Sequence, residues 1–153
     1  MKKLIPPCLL LAAVMTLNVI PSFAQKKSPI LNHIAVYVFD LEKCTAFYRD
    51  IVQIDTIPEP FHDGRHTWFK IGTHSQLHLI SGAKEITTHD KNSHLCFSVP
   101  SIDEFIARLH TNNIPFESWK GVADTPTSRV DGVKQIYFKD PEGYWVEIND
   151  DKY

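Results

Sequence analysis

Alternation of apolar and polar residues opens the chain's readable pattern. Over 30–39, Ile34, Val36 and Val38 fall on one face of an extended strand, and His33, Ala35 and Tyr37 fall on the other. Asp40 then caps a predicted helix over 41–52, in which Leu41, Cys44, Phe47, Tyr48, Ile51 and Val52 keep helical spacing. A short strand near 55–58 follows, then a turn at 61–66 containing Asp63-Gly64, and strands at 67–71 and 76–81. The same order returns further on. A strand at 94–99 precedes Ser101-Ile102-Asp103-Glu104, a capping box that opens a helix to about residue 112 with Ile102, Phe105, Ile106 and Leu109 as its apolar stripe. Strands are predicted near 115–119, 133–139 and 144–149. Residues 120–132 form a polar loop absent from the first half, a position suited either to a lid or to an inert surface loop.

Segments of the two halves match in sequence. Asn32-His33-Ile34-Ala35-Val36-Tyr37-Val38 corresponds to Ser93-His94-Leu95-Cys96-Phe97-Ser98-Val99, and Trp68-Phe69-Lys70 to Tyr137-Phe138-Lys139. The latter offset, 69 positions, also carries His78 onto Glu147. The chain therefore reads as an α+β protein of two βαβββ modules, about 30–81 and 93–150, joined by a polar linker. Strand phase places His33, His78, His94 and Glu147 on the faces opposite the apolar ones. A cupped, eight-stranded mixed sheet with helices outside and a polar concavity inside satisfies all four strands together.

The segment 1–24 breaks this pattern. Lys2 and Lys3 precede an almost wholly apolar run over 8–20, and Ser22-Phe23-Ala24 supplies small residues before a cleavage point. We expect a removed signal peptide, a single domain over 25–153, and export to the periplasm or beyond the cell. The remaining 129 residues are enough for a hydrophobic core. They carry 14 basic against 18 acidic side chains, which argues against nucleic acid and anionic membranes as partners. No membrane association is expected after cleavage. Cys44 and Cys96 are expected to be buried thiols rather than a disulfide framework.

Three imidazoles and a carboxylate at matched positions suit one divalent ion of the Zn, Ni, Co or Fe type. Without an ion, a buried Glu147 among neutral histidines would cost several kcal/mol unless well hydrogen-bonded. His62, His66, His74, His89 and His110 fall in turns, the linker or a helix end and are read as ordinary surface or core residues. Tyr37, Cys96 and Trp145 share the candidate site face and are candidate pocket residues.

The chain resembles the vicinal-oxygen-chelate (VOC) superfamily, which includes glyoxalase I, extradiol dioxygenases and fosfomycin- and bleomycin-resistance proteins. His33 to Val38 followed by Phe47-Tyr48-Arg49-Asp50 resembles the opening of glyoxalase I, and Asp140-Pro141-Glu142-Gly143-Tyr144-Trp145-Val146-Glu147 its closing motif. The resemblance implies metal ligands at His33, His78, His94 and Glu147, with histidine where the glyoxalases commonly have their second ligand glutamate. It implies chelation of two adjacent oxygens of a small-molecule substrate, with Glu147 as the candidate base of a glyoxalase I-like (lactoylglutathione lyase-like) isomerase or lyase. The family includes two other activities: an Fe(II) extradiol-type dioxygenase, which would use His33, His94 and Glu147 and leave His78 as an extra, and a non-catalytic, resistance-type binding protein, whose relatives lack the four-ligand set. Tyr37 stands where glyoxalase I commonly has an arginine that helps hold glutathione. Relatives of that type often complete each site between the subunits of a homodimer. The present sequence is equally compatible with pairing of its own two modules.

Overall fold

The computed structural model describes residues 28–152, so the expected signal peptide at 1–24 lies outside the described residues. In chain order the elements are β1 (His33–Val38), α1 (Leu41–Ala46), a π-helical turn (Phe47–Val52), β2 (Thr56–Ile57), β3 (His66–Lys70), β4 (Gln76–Ser81), β5 (His94–Ser98), α2 (Ile102–Thr111), β6 (Thr127–Ser128), β7 (Lys134–Lys139) and β8 (Trp145–Asn149). Among the described residues no helix is long and apolar enough to cross a membrane.

The eight strands form two four-stranded mixed sheets, ordered β1-β4-β3-β2 and β5-β8-β7-β6. Both open on a parallel pair in the same register: Ala35 lies opposite His78, and Cys96 opposite Glu147. Both continue with an antiparallel pair in which Trp68 faces His78 and Tyr137 faces Glu147. The sequence repeat is thus a repeat of register. Apolar faces of both sheets join the helices in one core that includes Val36, Leu77, Leu79, Ile136, Phe138, Val146 and Ile148, with Tyr48 and Phe105 fully enclosed.

Both helices begin as expected, with Lys43 N donating to Asp40 Oδ1 at 2.9 Å and Glu104 N to Ser101 Oγ at 3.2 Å. The first helix departs from α geometry after Ala46. Its wider turns keep Phe47, Tyr48, Ile51 and Val52 all buried, and it ends at Gln53 in the left-handed region (φ 63°).

The fourth strand of the second sheet is not where periodicity predicts it. Residues 115–119 contribute only isolated bridges at Glu117, to Ala123 and Tyr137, and the edge strand is Thr127–Ser128, from the predicted loop. Two features divert the segment. Pro115 has no N–H to give a ladder, and the Ser118 and Trp119 carbonyls accept from the Lys91 ammonium at 3.3 Å. Arg129 N then donates to Val133 O at 2.8 Å, closing the β6–β7 hairpin.

The closing motif joins the modules. Asp140 Oδ1 accepts the N–H groups of Glu142 and Tyr144 and forms the β7–β8 turn, while its Oδ2 accepts from the Tyr48 hydroxyl at 2.9 Å. Glu142, 2% exposed, accepts from Phe39 N and Asp40 N at the entry to α1. Gly143 sits at φ 86°, where an added Cβ would lie 2.8 Å from the Thr87 carbonyl, so the turn accepts no other residue without movement.

Candidate metal centre

The four matched side chains come together as two pairs. In the first module the His33 and His78 rings stack, centroids 4.4 Å apart and 8° from parallel, and Trp68 stacks on His78 at 4.0 Å and 3°. Asn32 Oδ1 accepts from His33 Nδ1 at 2.8 Å, leaving Nε2 as that ring's lone-pair nitrogen. Gln76 Oε1 accepts from His78 Nε2 at 2.7 Å, so His78 offers Nδ1. Burial, followed by the neighbouring His33 and His66, pushes the His78 pKa down and keeps the ring neutral, the form that can ligate. The Trp68 indole Nε1 is buried without a hydrogen-bond partner.

In the second module His94 Nε2 lies 3.2 Å from Glu147 Oε2. His94 Nδ1 donates to the Lys91 carbonyl at 2.7 Å, which directs Nε2 at the carboxylate. A neutral imidazole there would face the carboxylate with its lone pair, an arrangement that a divalent cation between the two would stabilise. Bonds of about 2.0–2.2 Å to nitrogen and oxygen set neighbouring donors roughly 3–3.4 Å apart, which matches the observed separation. The carbonyl behind His94 is the outer support that metal-bound histidines ordinarily have. These residues fit a divalent ion.

Glu147 is held on both oxygens. Oε2 accepts from the Tyr137 hydroxyl at 2.6 Å, and Oε1 from Asn149 Nδ2 at 3.0 Å. Gln135 Nε2 donates to the Tyr137 hydroxyl oxygen at 2.7 Å, and Ser98 Oγ donates to Asn149 Oδ1 at 2.8 Å. Burial pushes the carboxyl pKa up, but the hydrogen bonds from Tyr137, Asn149 and Cys96, with the nearby His94, together outweigh it and leave Glu147 below its ordinary value.

Within one chain the two pairs do not merge. Among the described residues the only group of three or more ligating side chains with donor atoms all within 4.8 Å is Glu59, Asp63 and His66, in the β2–β3 turn. Its carboxylates are engaged locally: Glu59 accepts from Phe61 N and His62 N, and Asp63 Oδ1 accepts from Arg65 N and His66 Nδ1.

The expected pocket residues differ in their surroundings. Tyr37 is 52% exposed on the His33 face, and its hydroxyl lies close against Gly82, where an added Cβ would meet it at 2.7 Å. Cys96 is exposed rather than buried, because it projects from β5 on the open site face, whereas Cys44 is enclosed on the buried face of α1. Burial of its sulfur and the Glu147 carboxylate push the Cys96 thiol up to about 12, so it stays protonated. Trp145 Nε1 donates to the His89 carbonyl at 3.0 Å, and the Lys91 and Lys139 ammoniums lie 4.7 and 4.8 Å from its ring centroid.

Sequence reading missed Tyr137, Asn149, Gln135, Trp68 and Lys91. A signal for two of them was present. Trp68 and Tyr137 are themselves a matched pair at the 69-residue offset, and each stands directly across the ladder from a candidate ligand.

Comparison with known proteins agrees with this architecture. Residues 30–148 match the Glyoxalase/Bleomycin resistance protein/Dioxygenase superfamily. The chain is 27% identical over 170 residues to a lactoylglutathione lyase of Pseudomonas putida, covering 86% of this chain and 94% of that protein. It is 30% identical over 142 residues to the mitochondrial methylmalonyl-CoA epimerase of Mus musculus, covering 81% and 77%. The fold superposes on the oxidase ChaP-H2 with a TM-score of 0.68 at 22% identity, covering 83% of this chain and 97% of that one. This chain therefore belongs to the Glyoxalase/Bleomycin resistance protein/Dioxygenase, or VOC, superfamily.

Proposed function

We propose that this protein is an exported, metal-dependent isomerase or lyase of the glyoxalase I type, acting on a small molecule with two adjacent oxygens. Members of the superfamily are typically metal-dependent enzymes. The observation that carries the proposal is the His94 Nε2–Glu147 Oε2 pair at 3.2 Å, matched across the repeat by His33 and His78. Three imidazoles and a carboxylate suit Zn, Ni, Co or Fe. When bound, such an ion would stabilise negative charge developing on adjacent substrate oxygens.

Glu147 takes a proton from one substrate carbon and returns it to the next. Its depressed pKa makes it a weak base, so it serves only where the carbon acid is strengthened by the charge stabilisation beside it. Tyr137 and Asn149 hold the carboxylate in place for that transfer. Because the ligand pairs of one chain do not merge, we assign the complete site to a homodimer in which His33 and His78 of one copy meet His94 and Glu147 of the other.

One observation favours a second reading. His78 is stacked between Trp68 and His33 and bonded to Gln76, which suits a structural residue as well as a ligand. His33, His94 and Glu147 would then form the two-histidine, one-carboxylate set of a non-haem Fe(II) dioxygenase.

Metal analysis of untagged protein, with turnover assays, tests both. Bound Ni or Zn with isomerisation of a hemithioacetal supports the first reading. Iron with oxygen uptake on catechols, unaffected by His78→Gln, supports the second. A metal-free protein whose small-molecule affinity ignores His94→Ala and Glu147→Ala overturns both and leaves a binding protein.

A further inference from the structure

We infer that the cavity beside the second ligand pair is a subsite for an organic anion, anchored by Lys139 and walled by Tyr137 and Trp145. The cavity is about 340 Å³ and includes Glu117, Tyr137, Lys139 and Trp145 in its lining. The inference deepens the proposed site by naming the far end of its substrate, although anion binding itself requires no metal.

Position follows from register. Lys139 pairs with Trp145 and Tyr137 with Glu147, two residues apart on the same β7–β8 ladder and therefore on one face. Two residues along a strand span roughly 7 Å. A molecule reacting at Glu147 would place a group about five or six bonds away over Lys139.

Charge follows from the partners. The Lys91 ammonium, near Trp145, is neutralised by Glu117 and held by two backbone carbonyls. Asp140, next to Lys139 in sequence, spends its carboxylate on Tyr48 and on the Glu142 and Tyr144 N–H groups. Among the described residues no carboxylate oxygen lies within 4.0 Å of the Lys139 ammonium. The cavity therefore keeps one uncompensated positive charge over an indole face, a setting for a carboxylate or phosphonate on an apolar body.

Metal-free protein is titrated calorimetrically with benzoate, phenylphosphonate and neutral benzamide, while the Trp145 indole N–H is followed by NMR and assigned with Trp145→Phe. Saturable binding of either anion that moves the Trp145 signal is expected, weakened at least tenfold by Lys139→Ala, retained in Lys139→Arg, and absent for benzamide. The two anions distinguish a carboxylate from a phosphonate subsite. Benzamide binding as tightly as benzoate, no loss in Lys139→Ala, or anion binding that leaves Trp145 unmoved overturns the inference. Zn²⁺ titration of the same variants separates it from the metal proposal: His94→Ala abolishes Zn²⁺ binding and keeps benzoate, and Lys139→Ala does the reverse.

Discussion

Glu142 Oε1 accepts the backbone N–H of Asp40 at 3.0 Å across 102 residues of sequence. Its second oxygen takes Phe39 N at 2.8 Å, so one carboxylate of the second module satisfies two donors at the start of the first module's helix. Asp40 in turn caps that helix through Lys43 N. The carboxylate of the Asp-Pro-Glu-Gly segment thus joins the two halves rather than serving the ligands.

Glu142→Ala strands both N–H groups in a partly buried site, so we expect a loss of about 1–3 kcal/mol in urea denaturation, and roughly half of that for Glu142→Gln, which keeps one acceptor. A loss below about 0.5 kcal/mol for the alanine variant would show that water reaches the helix entry and that the joint lies elsewhere.

Strand phase depends on local alternation, and it placed His33, His78, His94 and Glu147 on the correct strands with the two modules in one register. Local pattern carries no information about which chain ends meet across 102 residues, so Glu142 read as part of a motif without a partner. The edge strand failed for a related reason. Phe116 and Trp119 have strand character, but the Lys91 ammonium, far away in sequence, takes the Ser118 and Trp119 carbonyls, and Thr127–Ser128 occupies the edge. Whether the ligand pairs meet within a chain or between chains depends on tertiary placement, which a repeat cannot encode.

Asp140 gives a pH prediction. Burial pushes its carboxyl up, and the hydrogen bonds from Tyr48, Tyr144 and Glu142 only partly offset this, so its pKa in the folded protein lies above the ordinary 3.8. A raised folded pKa means that folding favours the protonated form. The corresponding stability is present below pH 3.8 and is lost as pH rises through the folded value. Asp140→Asn cannot titrate, so wild type should lose stability relative to this variant across that window and then run parallel to it. Urea denaturation from pH 3 to 7 measures the difference, and parallel curves throughout would show that Asp140 ionises without penalty.

Tyr137 supports Glu147 by one short hydrogen bond and receives another from Gln135. Tyr137→Phe removes the donor while keeping the ring, so the Glu147 carboxyl should rise toward its ordinary range and lose its fixed orientation. Outer-sphere losses of this kind weaken metal binding by about 10–100-fold, with a folding cost near 1 kcal/mol. Competition against a chromophoric chelator reads the first and urea denaturation the second. Unchanged metal affinity would mean that His94 and Asn149 suffice to place the carboxylate.

The proposed homodimer makes the strictest demand. A chain with His33→Ala and His78→Ala keeps only the His94–Glu147 pair, and a chain with His94→Ala and Glu147→Ala keeps only the other. If each site joins opposite pairs from two copies, neither variant alone binds the ion with native affinity. Mixing them restores one intact site per heterodimer, because the intact halves then face each other. Random exchange of subunits should return about a quarter of the wild-type sites, measured as tightly bound metal after gel filtration. Recovery depends on exchange, so the mixture is refolded together from urea before measurement. If all four ligands came from one chain, every chain in the mixture would lack half of its site and no metal would return. Recovery of binding therefore separates assembly between copies from pairing within one, and its absence in a mixture shown to contain heterodimer would overturn the intersubunit site.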